Sequence, residues 1–285
     1  MIDGYALNVA DLQKDSEGNF FLLATKSYYY ADGDLDGDGS TTDFIVAKYD
    51  SEWNQLWITE DFTDIAPAHT DFDFNTQYLR VTTSGIPYIL GSASDYRINS
   101  TFSSLSGIGR EDLMLASFNA TDGSTRTLQN FGSDQSDYTS YAYLQPMGDA
   151  QLLGFYKVSS GAVIDGETAD SSASVRFVVD SEGNLSQELY KPEDVSRLVE
   201  SLERATNGYF FMVEVPPLSS NVRTYSILDQ DLNLVSSTTE SGYSSSNIRN
   251  YFGRTAVYLE EGAYLVTNND HVTKLTSTIK TRLPD

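Results

Sequence analysis

A short strand that begins directly after a glycine turn recurs five times along the chain, at intervals of 54 to 67 residues. The copies begin at Gly18, Gly85, Gly148, Gly208 and Gly262, and each continues into a few mostly apolar residues. Recurrence at such a period is typical of repeat architectures, in which each repeat is one small unit of secondary structure. The sequence therefore predicts an array of similar β-rich units.

Each unit has room for four strands. One precedes the glycine, one follows it, a third ends in a polar turn, and a fourth leaves that turn. The strands before the glycine are predicted at 5–12, 77–82, 140–145, 196–203 and 255–259. The stretch 192–204 could also form a short helix, but its place in the repeat favours a strand. Five units of four strands predict an all-β fold, a five-bladed β-propeller that occupies residues 1–285 as one domain. A long sandwich or a β-helix is the alternative.

The predicted connections are of two kinds. Tight turns, such as 15–18, 50–52, 180–184 and 229–231, join the first strand to the second and the third to the fourth. The remaining connections are long and are predicted at 27–42, 61–75, 94–110, 130–139, 159–174 and 239–250. In a propeller these long loops emerge on one face, so we expect that face to carry the function.

The composition limits which partners the protein can bind and in which compartment it is found. The chain has 41 acidic and 18 basic residues, a formal charge of −23, and no cysteine. Such a surface repels nucleic acid and attracts divalent cations or basic partners. No apolar run reaches the roughly 20 residues of a transmembrane segment. The first residues lack the features of an export signal, which indicates either a cytosolic protein or a mature exported form. The richness in Tyr, Ser, Thr, Asn and Asp favours the exported form.

An acidic loop follows the second predicted strand. As a twelve-residue calcium loop it would supply ligands at alternating positions, from Asp32, Asp34, Asp36, Asp38, Ser40 and Asp43. Calcium takes six to eight oxygen ligands, and Gly37 would provide the sharp turn. Asp43 stands where such loops usually carry Glu. A solvated acidic loop is the other interpretation, but carboxylates packed this closely repel one another without a cation, so we predict a structural Ca²⁺.

Aromatic and acidic residues flank this loop. Tyr28, Tyr29 and Tyr30 precede it, and the stretch 61–74 alternates acids with aromatics. These residues could equally pack in the core as strands do, or bind a partner. The predicted partner-binding residues are Tyr28, Tyr29, Tyr30, Asp61, Asp64 and Asp71.

Residues 43–50 with 54–57 resemble the repeat of bacterial β-propeller proteins of the cell surface, the SBBP-like repeats of Bacteroidetes-type surface lipoproteins. Weaker copies lie at 111–119 and at 174–185. Trp53 stands in place of the usual glycine, and the later copies lack the tryptophan. The resemblance implies a propeller with an extracytoplasmic location, on the outer-membrane surface or secreted. It implies no substrate.

No catalytic constellation stands out. The histidines, His69 and His271, are far apart in sequence, and no glycine-rich loop has the strand-to-helix context of a phosphate site. We therefore predict a non-catalytic binding or assembly module. It would be an accessory surface lipoprotein of an outer-membrane uptake or secretion complex, with a protein or a glycan as partner. The alternative is a glycan-binding or glycoside-hydrolase-like propeller that uses inward carboxylates.

Overall fold

We describe the fold from a computed structural model. It describes residues 5–28, 42–60, 75–94, 98, 105–137, 142–192, 195–204, 208–216, 222–241, 256–259, 262–266 and 272–274. These residues form twenty-one β-strands, arranged in several antiparallel sheets. The prediction of an all-β fold is confirmed.

Four sheets have four strands each. The first is β1 (Tyr5–Lys14), β2 (Phe20–Tyr28), β3 (Thr42–Tyr49) and β4 (Gln55–Thr59); the second is β5 (Asn75–Val81), β6 (Pro87–Ser94), β7 (Glu111–Phe118) and β8 (Thr125–Phe131). The third is β9 (Tyr143–Pro146), β10 (Leu152–Val158), β13 (Ala173–Val179) and β14 (Leu185–Leu189); the fourth is β15 (Leu198–Arg204), β16 (Phe210–Val215), β17 (Val222–Leu228) and β18 (Leu234–Ser241). In each sheet the strands lie side by side in chain order, so the predicted grouping in fours is confirmed for these four units.

The remaining strands form two smaller sheets. A fifth sheet holds β19 (Ala256–Leu259), β20 (Gly262–Val266) and β21 (Val272–Lys274). The fourth strand predicted for this unit lies outside the described residues. A two-stranded hairpin, β11 (Val163–Ile164) and β12 (Glu167–Thr168), stands in the connection 159–174. We expected a plain loop there.

The tight turns are stabilised by the same pattern of side-chain hydrogen bonds. In the turn that begins at Asp50, carboxylate Oδ1 accepts from the backbone N–H groups of Glu52 and Asn54, both at 2.9 Å. The Asn54 side chain donates to Oδ2 at 2.8 Å. The same pattern recurs at Asp15, Asp180 and Asp229. An Asp that binds the backbone two residues on pre-forms a turn, which is why these polar residues separate the strands.

Trp53 takes the position that glycine holds in two of the other turns. Its φ is 66°, against 93° at Gly18 and 93° at Gly183. This left-handed conformation is costly for a residue with a Cβ. The Trp53 ring stacks on Phe20 with centroids 4.4 Å apart, and this contact offsets part of the cost.

The apolar core lies between successive sheets. Phe21, Val46 and Met114 belong to the cluster between the first and second sheets. Tyr156 and Phe177 belong to the cluster between the second and third. A smaller cluster fills the space between the third and fourth sheets. Each sheet thus buries both faces where it has a neighbour on either side.

The first strands of successive sheets adjoin one another: β1 contacts β5, β5 contacts β9, and β9 contacts β15. Polar side chains cross these contacts. Arg80 on β5 donates to Asp11 on β1 and to the Leu144 carbonyl on β9, and Gln145 donates to the Leu202 carbonyl on β15 at 3.0 Å. The sheets are therefore held in sequence order along their first strands.

Candidate functional site

The site residues predicted from the sequence fall almost entirely outside the described residues. Residues 29–41 and 61–74 are not described, and of Tyr28 and Asp43 only the backbone is, as ends of β2 and β3. The structure therefore neither brings the predicted calcium ligands and partner-binding residues together nor separates them.

Among the described residues, a cleft between the third and fourth sheets forms a candidate site. Its volume is about 490 Å³, within the usual range for small-molecule sites. The lining residues come from both sheets and from the connection between them: Leu153, Phe155, Arg176, Tyr190, Pro192, Arg197, Met212, Glu214, Thr224, Ser226, Leu228, Leu232, Leu234, Ser237 and Thr239. We call this space the inter-sheet cleft.

Strand register explains why a cleft opens at this point. The first hairpins of the four sheets share one register, in which the paired residues are Leu12 with Leu22, Leu79 with Ile89, Leu144 with Gly154, and Leu202 with Met212. Glu214 therefore occupies the position that Tyr156 holds in the third sheet. Ser226, which pairs with Met212, takes the place of Phe177, and Thr224 takes the place of Val175. Ser226 is much smaller than Phe177, so the fourth sheet leaves part of the space beside it unfilled.

Glu214 is the chemically distinctive residue of the cleft. Its side chain lies in the buried strand Phe210–Val215, and the residue is 6% exposed. Ser226 Oγ donates to carboxylate Oε2 at 3.2 Å, whereas Oε1 accepts no hydrogen bond of ordinary geometry from a described residue. Burial raises the pKa of Glu214, and hydrogen bonding by Tyr190 and Ser226 and the charge of Arg197 oppose the rise. A buried carboxyl oxygen without a partner costs free energy, so this position is not explained by packing alone.

The opposite wall carries two guanidinium groups. Arg176 donates to Glu188, and this ion pair lies at the partly exposed edge of the third sheet. Arg197 lines the cleft without a side-chain hydrogen bond to a described residue, and its charge acts on Glu214 and Tyr190. Burial next to Glu214 raises the pKa of the Tyr190 hydroxyl, which therefore stays protonated at neutral pH. The wall thus offers positive charge and a hydroxyl donor.

The arrangement can hold a ligand and move a proton. A carboxyl whose pKa is raised toward neutrality, in a concave site with convergent polar groups, meets the physical criteria for a general acid or base. Glu214 could take or give that proton at Oε1.

Sequence reasoning missed Glu214. The signal was a single acid inside an otherwise apolar strand, Phe210-Phe211-Met212-Val213-Glu214-Val215. Its partners Tyr190 and Arg197 come from the connection between β14 and β15, and Arg197 also lies in the stretch 192–204, for which the sequence allowed a helix. The sequence spacing of these residues from Glu214 does not indicate a shared site.

A second cavity, of about 540 Å³, lies among the tight turns of the first and second sheets. Asp15, Lys48 and Thr121 are among its lining residues. Lys48 Nζ donates to the Ala120 carbonyl at 3.1 Å and lies over the Phe21 ring. Because its buried cation is engaged in packing, this cavity is the weaker candidate.

Comparisons with known proteins identify no family. No protein-family profile and no curated protein matches the chain. Among solved structures, an apocarotenoid oxygenase (ACO)/RPE65 chimera in a trigonal crystal form has a TM-score of 0.47 and 9% identity, covering 93% of this chain and 57% of its own. A point mutant of Synechocystis apocarotenoid oxygenase has a TM-score of 0.47 and 10% identity, with coverage of 93% and 56%. This chain thus spans little more than half the length of these structures, and at this similarity no activity transfers to it.

The comparisons nevertheless correct the functional prediction. Structures similar to this chain include Synechocystis apocarotenoid oxygenase, which is named as an enzyme and not as a non-catalytic binding or assembly module. That prediction, with its accessory-lipoprotein role and its glycan alternative, is withdrawn.

The calcium prediction is corrected as well. Another similar structure is cobalt-substituted Synechocystis apocarotenoid oxygenase, with a TM-score of 0.43 and 9% identity over 92% of this chain and 54% of its own. Within the described ranges, no three His, Cys, Asp or Glu side chains are grouped as metal ligands. A structural Ca²⁺ is therefore not carried further.

The sequence predicts no transmembrane segment. In the part of the chain that the structure describes, no helix has the length and apolar character needed to span a bilayer.

Proposed function

We propose that the inter-sheet cleft is a small-molecule site in which Glu214 transfers a proton. One observation carries the proposal: a buried carboxylate whose Oε1 accepts no hydrogen bond of ordinary geometry from a described residue lines a cavity of about 490 Å³. A ligand that donates a proton or a hydrogen bond to Oε1 would supply the missing partner. This would offset the desolvation cost of the buried carboxylate.

The reaction class that needs no further reactant is an isomerisation by proton transfer. Glu214 Oε1 accepts a proton from a C–H or O–H of the ligand, and the ligand keeps the electron pair as an enolate-type anion. The neighbouring positive charge of Arg197 stabilises that anion. The same proton then returns from Glu214 to a different atom of the ligand, so nothing is oxidised or reduced.

Solvent deuterium incorporation tests this proposal. The protein is incubated in D₂O with a panel of 2-oxo acids, 3-oxo acids and cyclic ketones, and exchange at carbon is followed by proton NMR. We expect exchange of at least one compound faster than in buffer, and a loss of about 100-fold or more in Glu214→Gln. Glu203→Gln is the matched control, because Glu203 is also largely buried with a raised pKa and lies on the neighbouring strand outside the cleft. No exchange above buffer, or equal exchange in Glu214→Gln, contradicts the proposal.

We propose further that the five sheets are the blades of a five-bladed β-propeller. The chain-order contacts of β1, β5, β9 and β15 support this arrangement. So does the exposure of equivalent leucines: Leu79 and Leu144 are 0% exposed and Leu202 is 1% exposed, whereas Leu12 on the first sheet is 47% exposed. The fifth sheet, packed on that face, would bury Leu12 and close the ring.

A charge placed at Leu12 tests ring closure. If the fifth sheet covers that face in solution, Leu12→Asp lowers the free energy of unfolding by about 3 kcal/mol, because it buries an unpaired carboxylate. Ile108→Asp is the matched control, since Ile108 is likewise 47% exposed but lies in the connection before β7. Equal and small effects of the two substitutions in urea unfolding contradict a closed ring.

The resemblance of residues 43–57 to surface-protein repeats supports an extracytoplasmic location, as does the acidic, cysteine-free composition. We propose that location, and contact of the long-loop face with a protein partner stays a prediction. Cell fractionation with an antibody against the chain checks the location. Recovery in the cytosol alone contradicts it.

A further inference from the structure

We propose that the inter-sheet cleft takes a small carboxylic acid with an apolar body, whose carboxylate pairs with Arg197. This inference rests on the proposal that the cleft is a small-molecule site, and adds the chemical class of its ligand.

The charges of the cleft favour an anion. Among the described lining residues Arg176 and Arg197 are basic and Glu214 is the single acid. Arg176 is already engaged, because it donates to Glu188 at the edge of the cleft. Arg197 has its guanidinium donors unused by described side chains. A planar guanidinium binds a carboxylate through two parallel hydrogen bonds, which is stronger and more selective than a contact with a neutral group.

Two cations close in sequence to the cleft-lining residues are, unlike Arg197, paired with carboxylates of the described residues. Lys191 pairs with Glu167, and Arg223 donates to Glu200 at 3.0 Å. The chain as a whole has more than twice as many acidic as basic residues, 41 against 18. Within the described part of the chain Arg197 forms no ion pair with a carboxylate, so in so acidic a protein its guanidinium is available for a carboxylate that the ligand brings.

The remaining walls fit an apolar body. Phe155 packs edge-on against Tyr190, with ring centroids 5.2 Å apart, and Met212 lies on the facing strand β16. Leucines at 153, 228, 232 and 234 and Pro192 complete the apolar lining. A ligand with its carboxylate on Arg197 would lay its carbon chain on these residues, within reach of Glu214.

Methionine methyl groups report binding directly. The chain has four methionines, of which Met212 lines the cleft and Met114 lies in the core between the first and second sheets. Protein labelled with ¹³C at the methionine methyls is titrated with hexanoate, hexanamide and hexylamine, three probes that share one apolar chain. We expect hexanoate to shift the Met212 signal and leave Met114 in place, with a dissociation constant at least tenfold below that of hexanamide and hexylamine.

Two variants assign the effect to Arg197. Arg197→Gln should lower the affinity for hexanoate to that for hexanamide, while the affinity for hexanamide stays unchanged. Arg110→Gln is the matched control, because Arg110 is exposed and outside the cleft lining, and it should alter neither affinity.

The outcomes separate this inference from the proposal beneath it. If hexanamide or hexylamine shifts Met212 at equal or lower concentration than hexanoate, the cleft is a site but its ligand is not an acid. If Arg197→Gln keeps the preference for hexanoate, another group binds the carboxylate. If no probe moves Met212 while the methyl spectrum stays that of a folded protein, the small-molecule site itself is overturned.

Discussion

Arg80 Nη1 lies 2.8 Å from Asp11 Oδ2, and this ion pair joins the first strand of the second sheet to that of the first. The same arginine donates from Nε to the Leu144 carbonyl of the third sheet at 2.7 Å. One side chain therefore connects three successive sheets. The charges are largely removed from water, with side chains 17% and 20% exposed.

Removing this arginine should loosen the packing of the sheets. Arg80→Met leaves Asp11 without its cation and the Leu144 carbonyl without its donor, and we expect a loss of about 2–4 kcal/mol in the free energy of unfolding. Arg176→Met is the matched control, since its pair with Glu188 is exposed and should cost less than about 1 kcal/mol. Urea unfolding at pH 7 measures both. Equal losses would show that the Arg80 pair behaves as a surface ion pair.

Gly154 on β10 is required by the ring opposite it. A Cβ at this position would overlap the Phe177 side chain, which pairs with Gly154 across β13. Both residues are buried, so the neighbours cannot move aside cheaply. We expect Gly154→Ala to cost about 2–3 kcal/mol, by overpacking.

Two further variants check the cause of that loss. Gly148→Ala should change stability by less than about 0.5 kcal/mol, because a Cβ there meets one side-chain atom at ordinary distance. In the double variant Gly154→Ala with Phe177→Leu, the loss should be smaller than the sum of the two single losses. Strict additivity would mean that the ring is not what excludes the methyl group.

The turns and strands were predictable from sequence, because their causes are local. An Asp that binds its own turn and an apolar stretch after it are visible without any knowledge of the partner strand. The β11–β12 hairpin was missed although Asp165-Gly166 is a strong hairpin signal; the two residues have φ values of 49° and 85°, as a type I′ turn requires. The inter-sheet cleft was not predictable. It arises because Ser226 stands where the third sheet has Phe177, and that equivalence depends on register between sheets.

Asp137 should make stability depend on pH in an unusual direction. Burial raises the pKa of its carboxyl from 3.8 to about 6, although Ser133 donates to it from both N–H and hydroxyl. Between these two values the folded state binds more protons than the unfolded state, so the Asp137 contribution falls as pH rises from 4 to 6 and is constant above. The full change is about 3 kcal/mol.

The Asp137 contribution is isolated by comparing variants. The difference in unfolding free energy between the wild type and Asp137→Asn should decline across pH 4 to 6. Asp231→Asn is the matched control, because Asp231 is exposed and its side chain makes no hydrogen bond to a described residue. A flat profile for Asp137 would mean that the carboxyl is ionised at an ordinary pKa in the folded protein.

Glu214 should cost the protein stability, as a residue retained for chemistry does. Its Oε1 is buried without a hydrogen-bond partner among described residues, and it stands between apolar neighbours on β16. Glu214→Leu removes that unsatisfied group at similar size. The Tyr190 and Ser226 hydroxyls lose an acceptor, but burying a charge costs more than burying hydroxyls, so we expect the free energy of unfolding at pH 7 to rise by about 1–2 kcal/mol. The gain should shrink as pH falls, because burial raises the pKa of Glu214 and protonation of the wild-type carboxyl relieves the cost of burying its charge.

Glu203→Leu is the matched control for Glu214→Leu. Glu203 is also largely buried, but it accepts from Gln145 at 3.3 Å and lies close to the charge of Arg80. Its replacement leaves these partners unsatisfied and should lower the free energy of unfolding by about 1–3 kcal/mol. Opposite signs for the two substitutions would identify Glu214 as the carboxylate that the fold does not need. If Glu214→Leu is as destabilising as Glu203→Leu, Glu214 is part of the packing between the third and fourth sheets, and the cleft loses its strongest argument.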